Sequence, residues 1–429
     1  MNYIKNYDSL ATNDSRKIVL ELVETAFASV APQEVFKKDF SFENKILKIK
    51  DQTVDLNNFD RVFLVGFGKG SAGNAKILED KLGDVITEGW VNDVVEEQFT
   101  RLQGIKGTHP LPSQENFDFT NKVLEKLSGL TEKDVVLIVT CGGGSVLLEA
   151  PHKFSLEQMV AVNKDLLQSG ATITEMNVIR KHLSKVKGGG LAKHLYPATV
   201  LNLIFSDVPG NDLSVIASGP LVKDKSSIAE AQEIYNKYKL ADYKAFTPED
   251  FVETPKEEKY YEKVSNLLML SNLTALNAME KVIRQKGYTP YVMTDRLQGD
   301  AKKLGEQLIN ETLPGHILIA GGESTVKITG KGLGGRNQEL IACAIPYVKE
   351  GTVIATFSTD GWDFYWFCGA IADSETLNKI KDKEVDVQAY LADDNSYGFF
   401  EHIGDGIQTG KQESNVSDIF IVLKEDKKG

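Results

Sequence analysis

Cysteine is scarce in this chain of 429 residues: Cys141, Cys343 and Cys368 are all there are. Three thiols make no disulfide framework and point to a reducing compartment. The six histidines do not cluster as metal ligands. No H-E-x-x-H, C-x-x-C or G-x-S-x-G occurs, which removes zincin, dithiol and nucleophile-elbow chemistry. No apolar run approaches the ~20 residues needed to cross a bilayer, and no charged n-region with an apolar h-region opens the chain. The expected address is therefore the cytoplasm. Positive charge is in deficit: 49 Lys and Arg against 61 Asp and Glu leave a net −12. That balance argues against nucleic acid or anionic membrane as a partner.

What remains is an ordinary globular composition, 41% hydrophobic and 26% charged, in a chain long enough for two or three domains. "DSRKIVLELVETAFASVAP" has apolar residues at helical spacing, with Asp14 or Ser15 as N-cap. "KILKIKDQTVDL" alternates as a hairpin would. "DRVFLVGFGKGSAGNAKILEDKL" runs apolar strand, glycine turn, helix, and "DVVLIVTCGGGSVLLEAP" and "ATVLNLIFSDVPGNDLSVIASGP" repeat that plan. "HILIAGGESTVKITG" and "GTVIATFSTDGWD" add two more strands with polar loops. Such alternation predicts an α/β fold with parallel or mixed sheets and ligands at the carboxyl ends of the strands. From Lys223 to Tyr261 the composition turns to Lys, Glu, Asp and Tyr, which reads as a surface connection or solvated helices, and hence as a domain boundary.

Several of these loops suit anions. Gly68-Lys69-Gly70-Ser71-Ala72-Gly73 fits G-x-G-x-x-G, with Glu88 twenty residues beyond Gly68, the outline of a dinucleotide site. Lys69 inside that turn favours a phosphate or carboxylate, and positive neighbours can lower its pKa toward a base's range. Alternatively it is a surface lysine in a tight turn. Gly142, Gly143, Gly144 and Ser145 let successive N–H groups converge on an anion. "NVIRKHLSKVKGGGLA" gathers Arg180, Lys181, His182, Lys185 and Lys187 before Gly188-Gly189-Gly190. An anion clamp is the preferred reading, and a solvated helix face is the other. Asp207 and Asp212 flank a Pro-Gly turn and offer the hard oxygens Mg²⁺ takes, or else bond their own turn. Arg336, after Gly334-Gly335, presents a guanidinium where a transferring phosphoryl carries charge, or pairs with Glu339.

In order, "GKGSAGNA", "GTHPLP", "GGGSVLLEAP", "NVIRKHLSKVKGGGLA", "SDVPGNDLSVIASGP", "GGESTVKITG", "GGRNQEL" and "STDGWD" resemble the glycerate 2-kinases of the MOFRL-containing family. The resemblance runs nearly end to end. It implies transfer of the ATP γ-phosphoryl to a hydroxyl of D-glycerate with Mg²⁺, usually giving 2-phosphoglycerate. It also implies two α/β domains, each with a mostly parallel sheet flanked by helices, and an active site in the cleft between them. We expect a Rossmann-like kinase domain over residues 1–240 and a MOFRL-like domain over 241–429. Lys69 and Arg336 fall on the family's catalytic lysine and arginine, and Asp207 and Asp360 on acidic positions that hold Mg²⁺ or orient the acceptor. ATP is expected at Gly68, Gly70, Gly142, Gly143, Gly144, Ser145, Lys187, Gly188, Gly189 and Glu323. The acceptor is expected at Arg180, Lys181, Asp207, Asn337, Asp360 and Asp363. The implied partner is a small hydroxy acid, with a homodimer compatible.

Two stretches depart from the family. After Asp360-Gly361-Trp362-Asp363, where small and polar residues are usual, stand Phe364, Tyr365, Trp366, Phe367 and Cys368. Lys411, Gln412 and Glu413 interrupt the usual Gly-Pro-Thr before Asn415-Val416. The aromatic run is either buried packing or a remodelled pocket wall that stacks on a larger, flatter ligand. Two other functions stay open: an NAD(P)-dependent reductase of a 2-keto acid, resting on the glycine fingerprint, and a kinase fold that binds without turnover.

Overall fold

A computed structural model describes residues 2–243 and 245–426. The chain forms two compact units: one comprises residues 36–206 and 211–269, the other 1–35, 207–210 and 270–429.

The first unit opens with a three-stranded antiparallel sheet, β1 (Phe40–Glu43), β2 (Ile46–Ile49) and β3 (Gln52–Asp55). The last two are the expected hairpin. Its main sheet holds β4 (Arg61–Phe67), β5 (Glu88–Asp93), β6 (Gln103–Lys106), β7 (Asp134–Thr140), β8 (Thr199–Phe205) and β9 (Val264–Leu270), in the order β6-β5-β4-β7-β8-β9. The pairs β5–β6, β4–β5, β4–β7 and β7–β8 are parallel. Every residue of β7 is buried, as are all but the first of β4, which is why these segments read as continuous apolar runs. The chain leaves β4 toward β5 on one side and returns to β7 on the other. Between β4 and β7 lies the switch point of a doubly wound sheet, where the turns after both strands must meet.

The Lys, Glu and Tyr-rich stretch after Lys223 is no boundary. Helix Ile228–Lys237 packs Ile234 and Tyr235 with Leu240, Phe246 and Phe251 in a buried cluster of this same unit. Five apolar and aromatic side chains at irregular spacing sufficed to bury a segment whose composition looked solvated. The unit therefore runs to Met269, past the expected division at 240/241.

The second unit holds β10 (Thr289–Asp300), β11 (His316–Thr325), β12 (Thr352–Ser358), β13 (Gly369–Ala372), β14 (Gly406–Ile407) and β15 (Asp418–Lys424), ordered β10-β11-β15-β12-β13-β14. β10–β11 is parallel, and β11–β15, β12–β15, β12–β13 and β13–β14 are antiparallel, so β10, β11, β12 and β14 point one way while β13 and β15 run against them. The first 35 residues belong here. Helix Asp14–Val30 is capped by Asn13, whose Oδ1 accepts from Arg16 N, rather than by Asp14 or Ser15. Arg16, fully buried, reaches Asp373 and Asp405 at 2.8 Å each, which fixes the helix to this sheet's loops. Asp373 is thus a structural partner and the N-cap of helix Ser374–Asp382. No helix among the described residues is long and apolar enough to cross a membrane.

Candidate active site

The switch point of the first unit carries Lys69. Its backbone N–H donates to Gly142 O at 2.7 Å, tying the turn after β4 to the turn after β7. Gly68 has φ +108°, and a Cβ there would lie 2.4 Å from Cys141 O, so only glycine fits this crossing. A Cβ on Gly143, at φ +74°, would lie 2.8 Å from His109 Cδ2 and 3.4 Å from Lys69 Cε. The imidazole and the lysine stem therefore cover the glycine turn. Burial, and then the adjacent Lys69 ammonium, pushes the His109 pKa down, which leaves a neutral ring beside a cation. Only the fold brings His109 of "GTHPLP" to this turn. Gly142, Gly143 and Ser145 stay partly exposed. Against Gly144 packs a left-handed turn, Ala217, Ser218 and Gly219 at φ 50°, 61° and 61°. Two non-glycine residues in that region cost on the order of 1–3 kcal/mol each, strain of the kind concentrated at functional sites.

Gly68 and Gly70 do not form the expected phosphate cradle. Asp93, at the carboxyl end of β5, accepts from Gly70 N and Ala72 N at 2.9 Å each through Oδ2. A protein carboxylate thus fills the start of helix Ser71–Leu82, where a dinucleotide would place its pyrophosphate. Glu88, the presumed ribose acid, pairs with Phe63 at the other end of β5.

The basic island is largely satisfied from within. Lys187 Nζ donates to Glu149 Oε2 at 2.5 Å, and both are buried. Lys181 Nζ donates to Asp224 Oδ1 at 3.0 Å, with Ser226 and Thr254 hydroxyls on the same carboxylate. Arg180 Nε donates to Asn163 Oδ1 at 2.9 Å, and burial pulls its pKa down. Gly188 N and Gly189 N donate to Ser218 O and Gly219 O, and a Cβ on Gly189 would lie 2.1 Å from the Tyr261 hydroxyl. In this structure Lys181, Lys187, Gly188 and Gly189, expected in an anion clamp, make pairing and packing contacts within the chain. Spacing shows a charge run; it does not show the carboxylates that meet it.

The second unit carries Arg336 at the start of helix Arg336–Ala344. Its Nε and Nη2 donate to the two oxygens of Asp418 at 2.5 and 3.0 Å, and Nη1 lies 2.7 Å from Glu323 Oε1. These carboxylates raise the guanidinium pKa against the opposing effect of burial. Glu323 thus orients Arg336, whereas Glu339 is buried near Lys302. Asp418 begins β15 between Gly322 of β11 and Ser358 of β12, a position invisible in the sequence. Asp363 is buried and accepts from Asn337 N and Gln338 N at 3.2 and 2.9 Å. Asp363 and Asn337, expected at the acceptor, instead hold the start of the Arg336 helix together. Burial, with the charge of Asp418, pushes Asp363 up to about 7.

Asp360 is half-buried, its Oδ1 accepting from Ser358 Oγ and Trp362 N at 2.9 Å each. Asp207 follows β8 yet belongs to this unit, its carbonyl accepting from Ser417 Oγ. Among the described residues no three His, Cys, Asp or Glu side chains form a metal cluster. A sparse set of carboxylate oxygens such as Asp207 and Asp360 suits Mg²⁺, which takes one or two carboxylates and completes its shell with phosphate and water.

The two unusual stretches meet here. Gln412 N donates to Asp360 O at 2.8 Å, and Lys411 Nζ stands 5.2 Å over the Trp362 ring. Phe364, Tyr365 and Trp366 are 56%, 41% and 59% exposed, so burial explains only Phe367, half-buried beside Tyr397, and Cys368. Phe364 and Tyr365 both have positive φ, 55° and 76°.

Residues 18–247 match the family described as Domain of unknown function (DUF4147), and residues 316–418 match the MOFRL family. A glycerate 2-kinase of Pyrococcus horikoshii is 32% identical, over 97% of this chain and 99% of its own. The chain belongs to the MOFRL-containing glycerate 2-kinase family. The D-glycerate 2-kinase of Thermotoga maritima is also 32% identical, over 95% of this chain and 98% of its own. A relative from Agrobacterium vitis, named provisionally as a hydroxypyruvate reductase, is 34% identical over 85% of this chain and 87% of its own. The crystal structure of the Thermotoga maritima glycerate kinase superposes with a TM-score of 0.83 at 32% identity, covering 95% of this chain and 99% of that one. A Pyrococcus horikoshii crystal structure gives the same TM-score at 31% identity, covering 97% and 100%.

Proposed function

We propose that this member of the family is an ATP-dependent D-glycerate kinase that yields 2-phosphoglycerate. The observation that carries the reading is a pre-oriented Arg336, fixed by Asp418 and Glu323, in a chain alike end to end with proteins named glycerate 2-kinase. Phosphoryl transfer depends chiefly on positioning and on charge placed where the transition state develops it. In this reading Arg336 stabilises the equatorial oxygens of the transferring group. Lys69 supplies a second cation and, with neutral His109 beside it, a route for the proton leaving the acceptor hydroxyl. The exposed N–H-bearing turn Gly142–Ser145 receives phosphate, and Arg180 the acceptor carboxylate. Asp207 and Asp360 would hold Mg²⁺, which neutralises phosphate charge when bound.

The occupied helix start at Asp93 weighs against the reductase reading. The exposed aromatics favour a refinement: an acceptor pocket wall made by Phe364–Trp366 that admits bulkier hydroxy acids. ADP release from ATP and Mg²⁺, measured with D-glycerate and a panel of larger hydroxy acids, tests both. Turnover of glycerate with NMR detection of a C2 phosphate ester is the expected result. ATP binding with no ADP released from any acceptor would overturn the kinase assignment. Oxidation of NADH with hydroxypyruvate would restore the reductase.

A further inference from the structure

A cavity of about 480 Å³ opens in the first unit, away from the switch-point turns. Its wall includes Ser128 and Gly129, His152, Lys185, Lys193 and Val252. None of Lys69, His109 or Gly142–Ser145 lines it. Ser128 and Gly129 precede β7 at its amino end, whereas Gly142–Ser145 follow its carboxyl end, so the cavity runs along the flank of the sheet.

Its charge is unbalanced. Two of the lysines on its wall, Lys181 and Lys187, are neutralised by Asp224 and Glu149. Glu253, the acidic residue of the lining, is engaged by Lys256 at 3.3 Å and by His182. Lys185 and Lys193 are exposed and form no ion pair among the described residues; Lys193 stands 5.9 Å over the Tyr260 ring. The local field has a witness in His152: burial first, then Lys185, Lys153 and Lys193, push its pKa down. A cavity whose wall carries two exposed lysines without an ion pair among the described residues, in a chain of net −12, is a site suited to an anion.

We propose that this cavity binds a small phosphate-bearing molecule, gripped by Lys185 and Lys193, at a site separate from the catalytic turns. Two freely rotating ammonium groups, Lys185 on the loop after helix Ile173–Leu183 and Lys193 on helix Gly190–Leu195, suit a compact dianion better than a planar carboxylate, which favours a guanidinium fork. Free inorganic phosphate and a phosphate monoester share that chemistry, and titration distinguishes them.

The test is isothermal titration calorimetry on the full chain with inorganic phosphate and, separately, glycerol 3-phosphate. The wild type, Lys185→Ala/Lys193→Ala and Lys69→Met are compared. We expect the double variant to lose about tenfold or more in affinity for at least one ligand, the cost of two charge-assisted contacts. Its kinase rate without added anion should stay within about twofold of wild type, a criterion that also shows it to be folded. Lys69→Met should retain the affinity. The tighter of the two ligands identifies the source. Equal affinity in the double variant, loss of binding in Lys69→Met instead, or no heat with either ligand at low millimolar concentration would each overturn the proposal.

Discussion

Arg336 and Asp418 meet side by side, Nε to Oδ2 at 2.5 Å and Nη2 to Oδ1 at 3.0 Å. Asp418 is fully buried while Arg336 keeps about a third of its side chain open, so the carboxylate anchors and the guanidinium remains presentable. Asp418→Asn should therefore act on orientation. We expect kcat to fall by about 10²-fold with KM for the acceptor little changed, and Asp418→Glu to recover part of the loss. Equal kcat in Asp418→Asn would remove the positioning role.

Lys69 is half-buried on a turn whose backbone bonds do not involve its ammonium. Lys69→Met should cost about 10²–10³ in kcat. Its thermal midpoint should stay within about 2 °C of wild type. A large drop in midpoint would instead make Lys69 structural.

Asp363 gives stability an unusual pH dependence. Its pKa in the folded chain is pushed up to about 7, above the 3.8 expected when unfolded. Between those values the folded state binds the extra proton, so the contribution of this group is greatest at acid pH and fades as pH rises toward 7. Asp363→Asn should flatten the slope of thermal midpoint against pH across that window. An unchanged slope would place the titration elsewhere.

Asp93 should behave as a helix cap. Replacing it by Ala leaves Gly70 N and Ala72 N without their acceptor and should destabilise the chain by about 1–2 kcal/mol in urea titrations. NADH fluorescence should show no binding in wild type; a saturable signal would contradict the filled helix start.

The exposed rings can be exchanged cheaply. Phe364→Gly relieves a left-handed backbone that costs about 1 kcal/mol for a residue with a Cβ, so with Trp366→Thr the midpoint should hold or rise. If the rings line the acceptor site, the same pair should shift the turnover ratio toward glycerate over larger acids. An unaltered ratio would make the run a surface feature unrelated to the acceptor.

Sequence patterning made the strands legible, because β4, β7, β8 and β12 are buried on both faces and leave apolar runs bounded by polar turns. It also placed Lys69 and Arg336 on turns at strand ends. What it could not reveal were long-range acid partners. Asp93, Glu149, Asp224, Asp363 and Asp418 each determine whether a cation or a helix start is available, and each lies 21 or more residues from the group it satisfies. The glycines misled for the same reason. Gly143 is glycine because His109 covers it and Gly189 because Tyr261 does, and neither neighbour lies near it in sequence.

Arg16's grip on Asp373 and Asp405, and the place of β15 between β11 and β12, bear on the order in which the chain can fold as it leaves the ribosome. Residues 36–269 all precede β10, β11, β12 and β15 in the chain, so the first unit can form early. Its companion must wait: the helix made among the first thirty residues stays without its buried acids, and the two halves of a sheet lack the strand that joins them. A chain cut short before Asp418 would lack that strand entirely and leave a finished first unit tethered to an open sheet edge, a product prone to aggregate or to be degraded rather than a slightly weakened enzyme.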